Sequence, residues 1–315
     1  MKALIKLLPV ILLLIFITTG CNNNKTETPV FRKIDQVLQG NNQQNLWLDD
    51  KYYWNGECLN KIENYGGDQT VHNRIEFDYV SGSNSKISEF RVFSSPYYKQ
   101  SANFFSKGLR KIATFGKEEK DNLVLKGKFM PIYHNDKITR LNIYIDEIFN
   151  KEFSYVGYMT IEYEGNYPQK MSMFIEASSL QDSTPTPEVE ELEILQKHFI
   201  WKNGNITTEY EKSAYFLDNG TMDFFTKDST IYSYDNKRNA YNSIKDIYPM
   251  FEAKINSKNN IIHNKKFKFS ESGEVLGGYE TTIVYQYDVY DFPTIATRGY
   301  SFRFTDIIKF EYKDN

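Results

Sequence analysis

The chain has 315 residues, with 38 Lys and Arg against 41 Asp and Glu and a formal net charge of −3. That balance excludes a duplex nucleic-acid binder, which would present a basic face and a high isoelectric point. The length accommodates one large domain or two smaller ones.

The N-terminus reads as an address. Lys2 and Lys6 precede an apolar run from Leu7 to Ile17, closed by Thr18-Thr19-Gly20-Cys21. This is the pattern of a secretory leader over residues 1–20, whose cleavage leaves Cys21 first. As a helix, Leu7 to Thr19 spans roughly 20 Å against a hydrocarbon core of ~30 Å, too short for a permanent anchor. The junction resembles the lipobox of bacterial lipoproteins: Thr19, Gly20 and Cys21 fit, while Thr18 stands where Leu, Val or Ile is usual. The resemblance implies diacylglycerol on the Cys21 thiol and a further acyl chain, such as palmitate, on its amine. Several chains together hold a protein durably on a membrane. Residues 21–45 are then the lipidated cysteine and a polar tether beginning Asn22-Asn23-Asn24. By analogy with lipoprotein sorting, Asn22 directs the protein to the outer membrane, with neither face selected. With Cys21 acylated, Cys58 has no disulfide partner and is expected to be a small buried apolar group.

The body has the composition of strands, with 24 Tyr, 23 Phe and many Asn and Gly residues suited to turns. A degenerate unit recurs: aromatic alternation, a polar turn, then Ile or Leu restarting the alternation. It appears at Tyr53-Trp54-Asn55-Gly56 to Ile62, at Ile75 to Ile87 around Gly82, at Tyr133-His134-Asn135-Asp136-Lys137-Ile138 and at Ile161 to Met171 around Gly165-Asn166. It returns at Phe199 to Ile206 around Asn203-Gly204, at Tyr232 to Asn239 and at Tyr285 to Pro293, with a truncated copy from Phe310. Each unit predicts a β-hairpin. A lone hairpin is marginal in water, so the units should pair into an antiparallel sheet or a sandwich of repeated hairpins. The fold class is mainly β, with one or two short helices, at Tyr97 to Thr114 and at Asn242 to Phe251.

Tyr234-Asp235-Asn236-Lys237-Arg238-Asn239, Ser257-Lys258-Asn259-Asn260-Ile261-Ile262, and Tyr285-Gln286-Tyr287-Asp288 with Phe292-Pro293-Thr294 carry a resemblance. They are similar to a family of uncharacterised lipoproteins of Bacteroidota-type bacteria that look like distant relatives of Tyr-Asp (Rhs-type) repeat proteins. Arg238 and Asp291 stand where those repeats usually have glycine, and the resemblance supplies no activity to carry over. The run from Ser178 to Leu192, with Pro185 and Pro187, reads as a linker or long loop at 181–192. It separates β-repeat domains at 46–180 and 193–315, which could also form one continuous domain.

Catalytic motifs are absent: there is no phosphate loop, no zinc-binding His pair, no nucleophile elbow and no Cys-x-x-Cys. His72, His134, His198 and His263 lie far apart and read as solvated or capping side chains. The acidic clusters Asp49-Asp50, Glu118-Glu119 and Glu188-Glu190-Glu191 read as solvated loop charge, and no spacing supports calcium at Asp49-Asp50 or Asp235-Asn236. No catalytic residue, metal or cofactor is assigned. Exposed aromatic rows on a β platform stack on sugar rings, which makes Trp47, Trp54 and Trp201 the candidate ligand-stacking residues, although Trp54 and Trp201 occupy equivalent repeat positions. The expected protein is a lipid-anchored, non-enzymatic envelope module that binds or scaffolds a protein or glycan. The alternative is a carboxylate-dependent hydrolase of glycans or other envelope polymers.

Overall fold

The computed structural model describes residues 32–95, 123–146, 153–176, 191–217, 222–245, 247, 251–301 and 305–313. The strands are β1 (Lys33–Gly40), β2 (Leu46–Asn55), β3 (Cys58–Tyr65), β4 (Val71–Tyr79), β5 (Ile87–Ser94), β6 (Val124–His134), β7 (Lys137–Asp146) and β8 (Phe153–Glu164). They continue as β9 (Tyr167–Glu176), β10 (Glu191–Lys202), β11 (Asn205–Phe216), β12 (Met222–Tyr234), β13 (Ile261–Phe269), β14 (Val275–Tyr287), β15 (Pro293–Tyr300) and β16 (Thr305–Lys313). Among the described residues there is one helix, the single turn α1 (Ala253–Asn256). Every strand pairs antiparallel with its chain neighbours, and β16 returns to β1 with Phe310 opposite Val37, closing a barrel.

The chain is therefore mainly β and antiparallel, but its sheet is neither open nor a sandwich. A row of hairpins would leave two edge strands with unpaired backbone groups, and closure removes both. The closing strand, β1, lies inside the 21–45 stretch read as tether, which corrects that boundary. The sheet also runs unbroken through the two segments read as repeat domains, with β9 paired to β10.

Tight turns form where residues tolerate positive φ. Asn135 (49°) and Asp136 (62°) join β6 to β7, and Asn203 (54°) and Gly204 (80°) join β10 to β11. The Tyr232 to Asn239 unit behaves differently. After Tyr234 the chain leaves the wall, runs through residues 235–260 and rejoins it at Ile261. Among the described residues of the helix predicted at 242–251 there are turns instead, in which the N–H groups of Asn242, Ile244 and Ile247 donate to carbonyls three residues back. Asparagine side chains compete for the backbone: Asn256 Nδ2 donates to Lys245 O at 2.8 Å, and Asn239 Oδ1 accepts from Tyr241 N at 2.8 Å. The helix predicted at 97–114 lies outside the described residues.

The sequence repeat corresponds to a recurring latch. Near the end of each even-numbered strand an aromatic side chain donates to a backbone carbonyl at the start of the preceding strand. The pairs are Trp54 Nε1 to Ile34 O (2.9 Å), Tyr79 OH to Leu59 O (3.0 Å), Tyr133 OH to Ile87 O (3.1 Å) and Tyr163 OH to Ile138 O (3.0 Å). They continue as Trp201 Nε1 to Pro168 O (2.6 Å), Tyr234 OH to Ile206 O (2.6 Å), Tyr285 OH to Ile261 O (3.1 Å) and Tyr312 OH to Pro293 O (2.9 Å). A register shift immediately precedes Trp54, Tyr79, Tyr133, Tyr163, Trp201 and Tyr234. Such bulges re-aim the side chain that follows. The accepting residues Ile34, Leu59, Ile87 and Ile206 are themselves buried, so each unit supplies a ring, a bonded carbonyl and an aliphatic group to one core.

That core is the inside of the barrel. Residues 235–260 touch β1 through Ser243 Oγ, which accepts from Ile34 N at 3.1 Å, and β16 through the Tyr241 and Phe310 rings. They also touch β8 and β10, where the Phe251 ring meets Tyr163 and Phe199. Those strands lie on opposite sides of the ring, so the segment crosses the lumen as a plug. A ring of this many strands would otherwise enclose a wide channel. Ile244 and Ile255 are buried in the filling, worth about 1.5–3 kcal/mol each.

The outward face carries charge all around the circumference. Arg74–Glu63 (2.8 Å), Arg91–Asp78 (3.0 Å) and Lys128–Glu89 (2.8 Å) cross β3 to β6. Lys170–Glu193 (3.5 Å), Lys265–Glu280 (2.7 Å) and Lys309–Glu311 (2.6 Å) continue around the other strands. A wall facing lipid needs an uninterrupted apolar belt, and a Lys or Arg at its middle costs about 2–4 kcal/mol. Met130, Ile132, Ile200, Ile231 and Val284 are exposed apolar residues of β6, β10, β12 and β14.

Candidate functional site in the barrel lumen

On β10 to β16, inward positions farther from the tight turns than the latches include charged residues, whereas Leu141, Ile143 and Ile145 of β7 and Met171, Met173 and Ile175 of β9 stay apolar. Between the plug and the wall of β9 to β15 lies a cavity of about 390 Å³, lined by Lys197, Glu209, Glu211, Asp228, Thr230, Tyr232, Lys254, Asn264, Lys266, Thr281, Arg298 and Tyr300 among others. Most of the charges match in pairs. Lys197 Nζ lies 3.4 Å from Glu209 Oε2 and also reaches Phe251 O at 3.4 Å. Lys266 Nζ lies 3.5 Å from Asp228 Oδ2, and Arg298 lies 2.8 Å from Asp306 Oδ2, which also accepts from Tyr300 OH. Three charged lining groups form no ion pair among the described residues: Glu211, Glu252 and Lys254. Glu211, 8% exposed, keeps a buried Oε1 without a hydrogen-bond partner, as Glu209 does at Oε2, and Lys254, exposed within the cavity, has its Nζ 5.6 Å from the Tyr241 ring.

A second acidic pair faces the same lumen. The register shift between Val37 and Leu38 leaves Asp49 as the extra residue of β2, next to Asp50, which sits opposite inward-facing Val37. Burial, then the charge of Asp50, pushes the Asp49 carboxyl up to about 6, with Lys254 and Arg298 pulling the other way. Asp50 accepts from Asn64 Nδ2 at 2.5 Å. Burial opposes the charge on Lys254, but Tyr241, Glu252, Asp50 and Asp49 outweigh it and hold the ammonium above the ordinary lysine range. Burial and Glu209 likewise raise the Tyr232 hydroxyl well above its usual value, so it stays a hydrogen-bond donor.

None of the tryptophans singled out by sequence lines this cavity. Trp54 and Trp201 are latches, with Lys33 Nζ 5.7 Å from the Trp54 ring and Tyr167 packed on Trp201 at 4.8 Å. Trp47 is half-buried opposite Gln39. Cys21 lies outside the described residues. Asp49-Asp50, read as solvated loop charge, is luminal instead, because the bulge could not be seen in the sequence. Glu191 is exposed and accepts from Tyr158 OH at 2.6 Å, while Glu118, Glu119, Glu188 and Glu190 lie outside the described residues. Asp235 accepts from Tyr287 OH, Lys237 N and Asn260, so protein donors occupy it. Among the described residues no group of three or more His, Cys, Asp or Glu could hold a metal ion.

The histidines do not converge. His72 lies 3.3 Å from Asp68, His263 lies 3.9 Å from Glu280, and His198 stacks on Tyr210 at 4.7 Å, where burial and then Lys212 lower its affinity for a proton. The luminal ions were missed although a signal for them exists. Lys197 shares the parity of Leu195 and Phe199, Asp306 that of Ile308 and Phe310, and Arg298 that of Ala296: each is a charge on the apolar side of its strand.

The fold and cavity define an up-and-down β-barrel with a plugged, charged lumen. No protein-family profile and no curated protein matches the chain. It is similar to a porin-like protein from Bacteroides uniformis at 10% identity and TM-score 0.36, over 91% of this chain and 98% of that one. It is similar to a protein with unknown function from Bacteroides fragilis at 9% identity and TM-score 0.22, over 65% and 89%. A Tc holotoxin pore from Photorhabdus luminescens follows at 7% identity and TM-score 0.19, over 88% of this chain and 14% of that one. At these scores the likeness extends to neither site nor function.

Proposed function

We propose that the chain is a lipid-anchored protein of the cell envelope that acts by binding, and that its barrel takes a small polar solute, such as a glycan or peptide fragment, into the luminal cavity. Acylated Cys21 supplies the membrane attachment, and the charged outer wall remains in water. The observation that carries the reading is the convergence of charged side chains, at inward positions otherwise apolar, on one cavity of about 390 Å³. That volume lies within the ~300–1,000 Å³ range of small-molecule sites.

One observation favours the hydrolase alternative: Glu209, Glu211, Asp228 and Glu252 share the cavity, and glycoside hydrolysis needs two carboxylates. Glu209 and Asp228, however, each face a lysine ammonium, and the charge of Glu252 acts on Lys254, so binding stands first. Thermal unfolding of the full chain in detergent, screened against small glycans, peptides and amino acids, tests the reading. A ligand at a hundred times its Kd adds about 2.7 kcal/mol. If no small polar solute stabilises the protein, the luminal reading fails. Glycan cleavage that is lost in Glu211→Gln would replace binding with hydrolysis.

A further inference from the structure

We propose that the luminal cavity is built for a zwitterion, an amino acid or short peptide with free termini, whose ammonium is met by Glu211 and whose carboxylate is met by Lys254. The proposal rests on the luminal-binding reading and specifies its ligand. Lys197 is matched by Glu209, Lys266 by Asp228 and Arg298 by Asp306, which leaves Lys254 and the acids Glu211 and Glu252 without an ion pair; of those two acids Glu211 is the one with a buried oxygen lacking a hydrogen-bond partner.

Glu211 is the stronger of the two indications. It sits on the wall of the cavity, more than nine-tenths buried, with an oxygen that no donor reaches. A buried carboxylate without a partner is costly, and a ligand ammonium repays that cost with a charge-assisted bond. Lys254 approaches from the plug, on the far side from the β-wall. Asp49 and Asp50 favour its charge without contacting it, so its donors stay available to an incoming carboxylate. Size agrees: a sphere of 390 Å³ is about 9 Å across, and at ~3.5 Å per extended residue it accepts two to three residues. Tyr232, Thr230, Asn264 and Thr281, which also line the space, supply neutral partners for a peptide bond.

Isothermal titration of the full chain in detergent with Ala-Ala, N-acetyl-Ala-Ala, Ala-Ala-amide, free alanine and a neutral disaccharide tests the assignment. Free Ala-Ala or alanine should bind, and blocking either terminus should weaken binding about tenfold or more. In Glu211→Gln the acetyl group should no longer matter, and in Lys254→Met the amide should no longer matter. The comparison of blocked and free ligands on the unsubstituted protein stands even if a variant fails to fold. If blocked and free peptides bind equally, the assignment is overturned. If the disaccharide binds and no zwitterion does, the zwitterion is wrong and luminal binding survives; if nothing binds, both fall.

Discussion

Ser257→Ala tests how the plug is fastened to the barrel wall. Ser257 is fully buried, and its Oγ accepts from Ile206 N at 3.1 Å and donates to Tyr234 OH at 2.9 Å. Tyr234 OH in turn donates to Ile206 O at 2.6 Å, so both backbone groups of Ile206 are held in one small ring of hydrogen bonds. Removing the hydroxyl leaves the Ile206 N–H without a partner where no water reaches it. A stranded buried donor costs about 1–3 kcal/mol, against about 1 kcal/mol for the ordinary loss of a hydrogen bond. For a barrel of this size that lowers Tm by about 2–6 °C. Urea unfolding should show a lower midpoint at unchanged slope, because the surface exposed on unfolding is unaltered. Combining it with Tyr234→Phe should cost at least ~0.5 kcal/mol less than the sum of the single changes, since both act on one ring. A Ser257→Ala midpoint equal to that of the unsubstituted protein, or strict additivity, would refute the fastening.

Asp49→Asn should change the pH dependence of stability. The carboxyl ionises near 3.8 in the unfolded chain and near 6 in the fold, so between those values the folded protein holds more protons. Stability therefore falls as pH rises from about 4 to about 6, by up to about 3 kcal/mol, and the cost persists above. The variant should match the unsubstituted protein near pH 4 and exceed it at pH 8 in urea midpoint; parallel profiles would contradict this. Gly204→Ala should destabilise by about 1 kcal/mol because its φ of +80° burdens a Cβ, whereas Gly67→Ala, with ordinary φ and no atom within 4 Å of the new Cβ, should not. Equal midpoints for the two variants would remove the turn argument.

The local structure was legible because local chemistry fixes it. Asn135-Asp136 and Asn203-Gly204 predict their hairpins from φ alone, and the recurrence of aromatic, turn and aliphatic residues marks a latch that bonds strands adjacent in the chain. Closure was not legible. It depends on β1, whose Lys33-Ile34-Asp35-Gln36 reads as polar tether until β16 offers it a partner. The plug was hidden for a related reason: Tyr232-Ser233-Tyr234-Asp235-Asn236 has the form of a hairpin turn, yet the lumen is wide enough that filling it with residues 235–260 wins over closing the turn. The site fell between these cases. Its ions break the alternation of strands that otherwise keep it, but which violations share a cavity is decided by register, as the bulge that brings Asp49 beside Asp50 shows.

In the proposed function a water-facing barrel is held to the membrane by lipid at Cys21 and by nothing else. Fractionation measures that attachment directly, comparing the natural protein with a Cys21→Ser form whose leader is replaced by one cut by ordinary signal peptidase. The natural protein should sediment with membranes and incorporate labelled palmitate, while the substituted form should be soluble, unlabelled and unfold at the same temperature. A Cys21→Ser barrel that remains folded in the membrane pellet would contradict the claim.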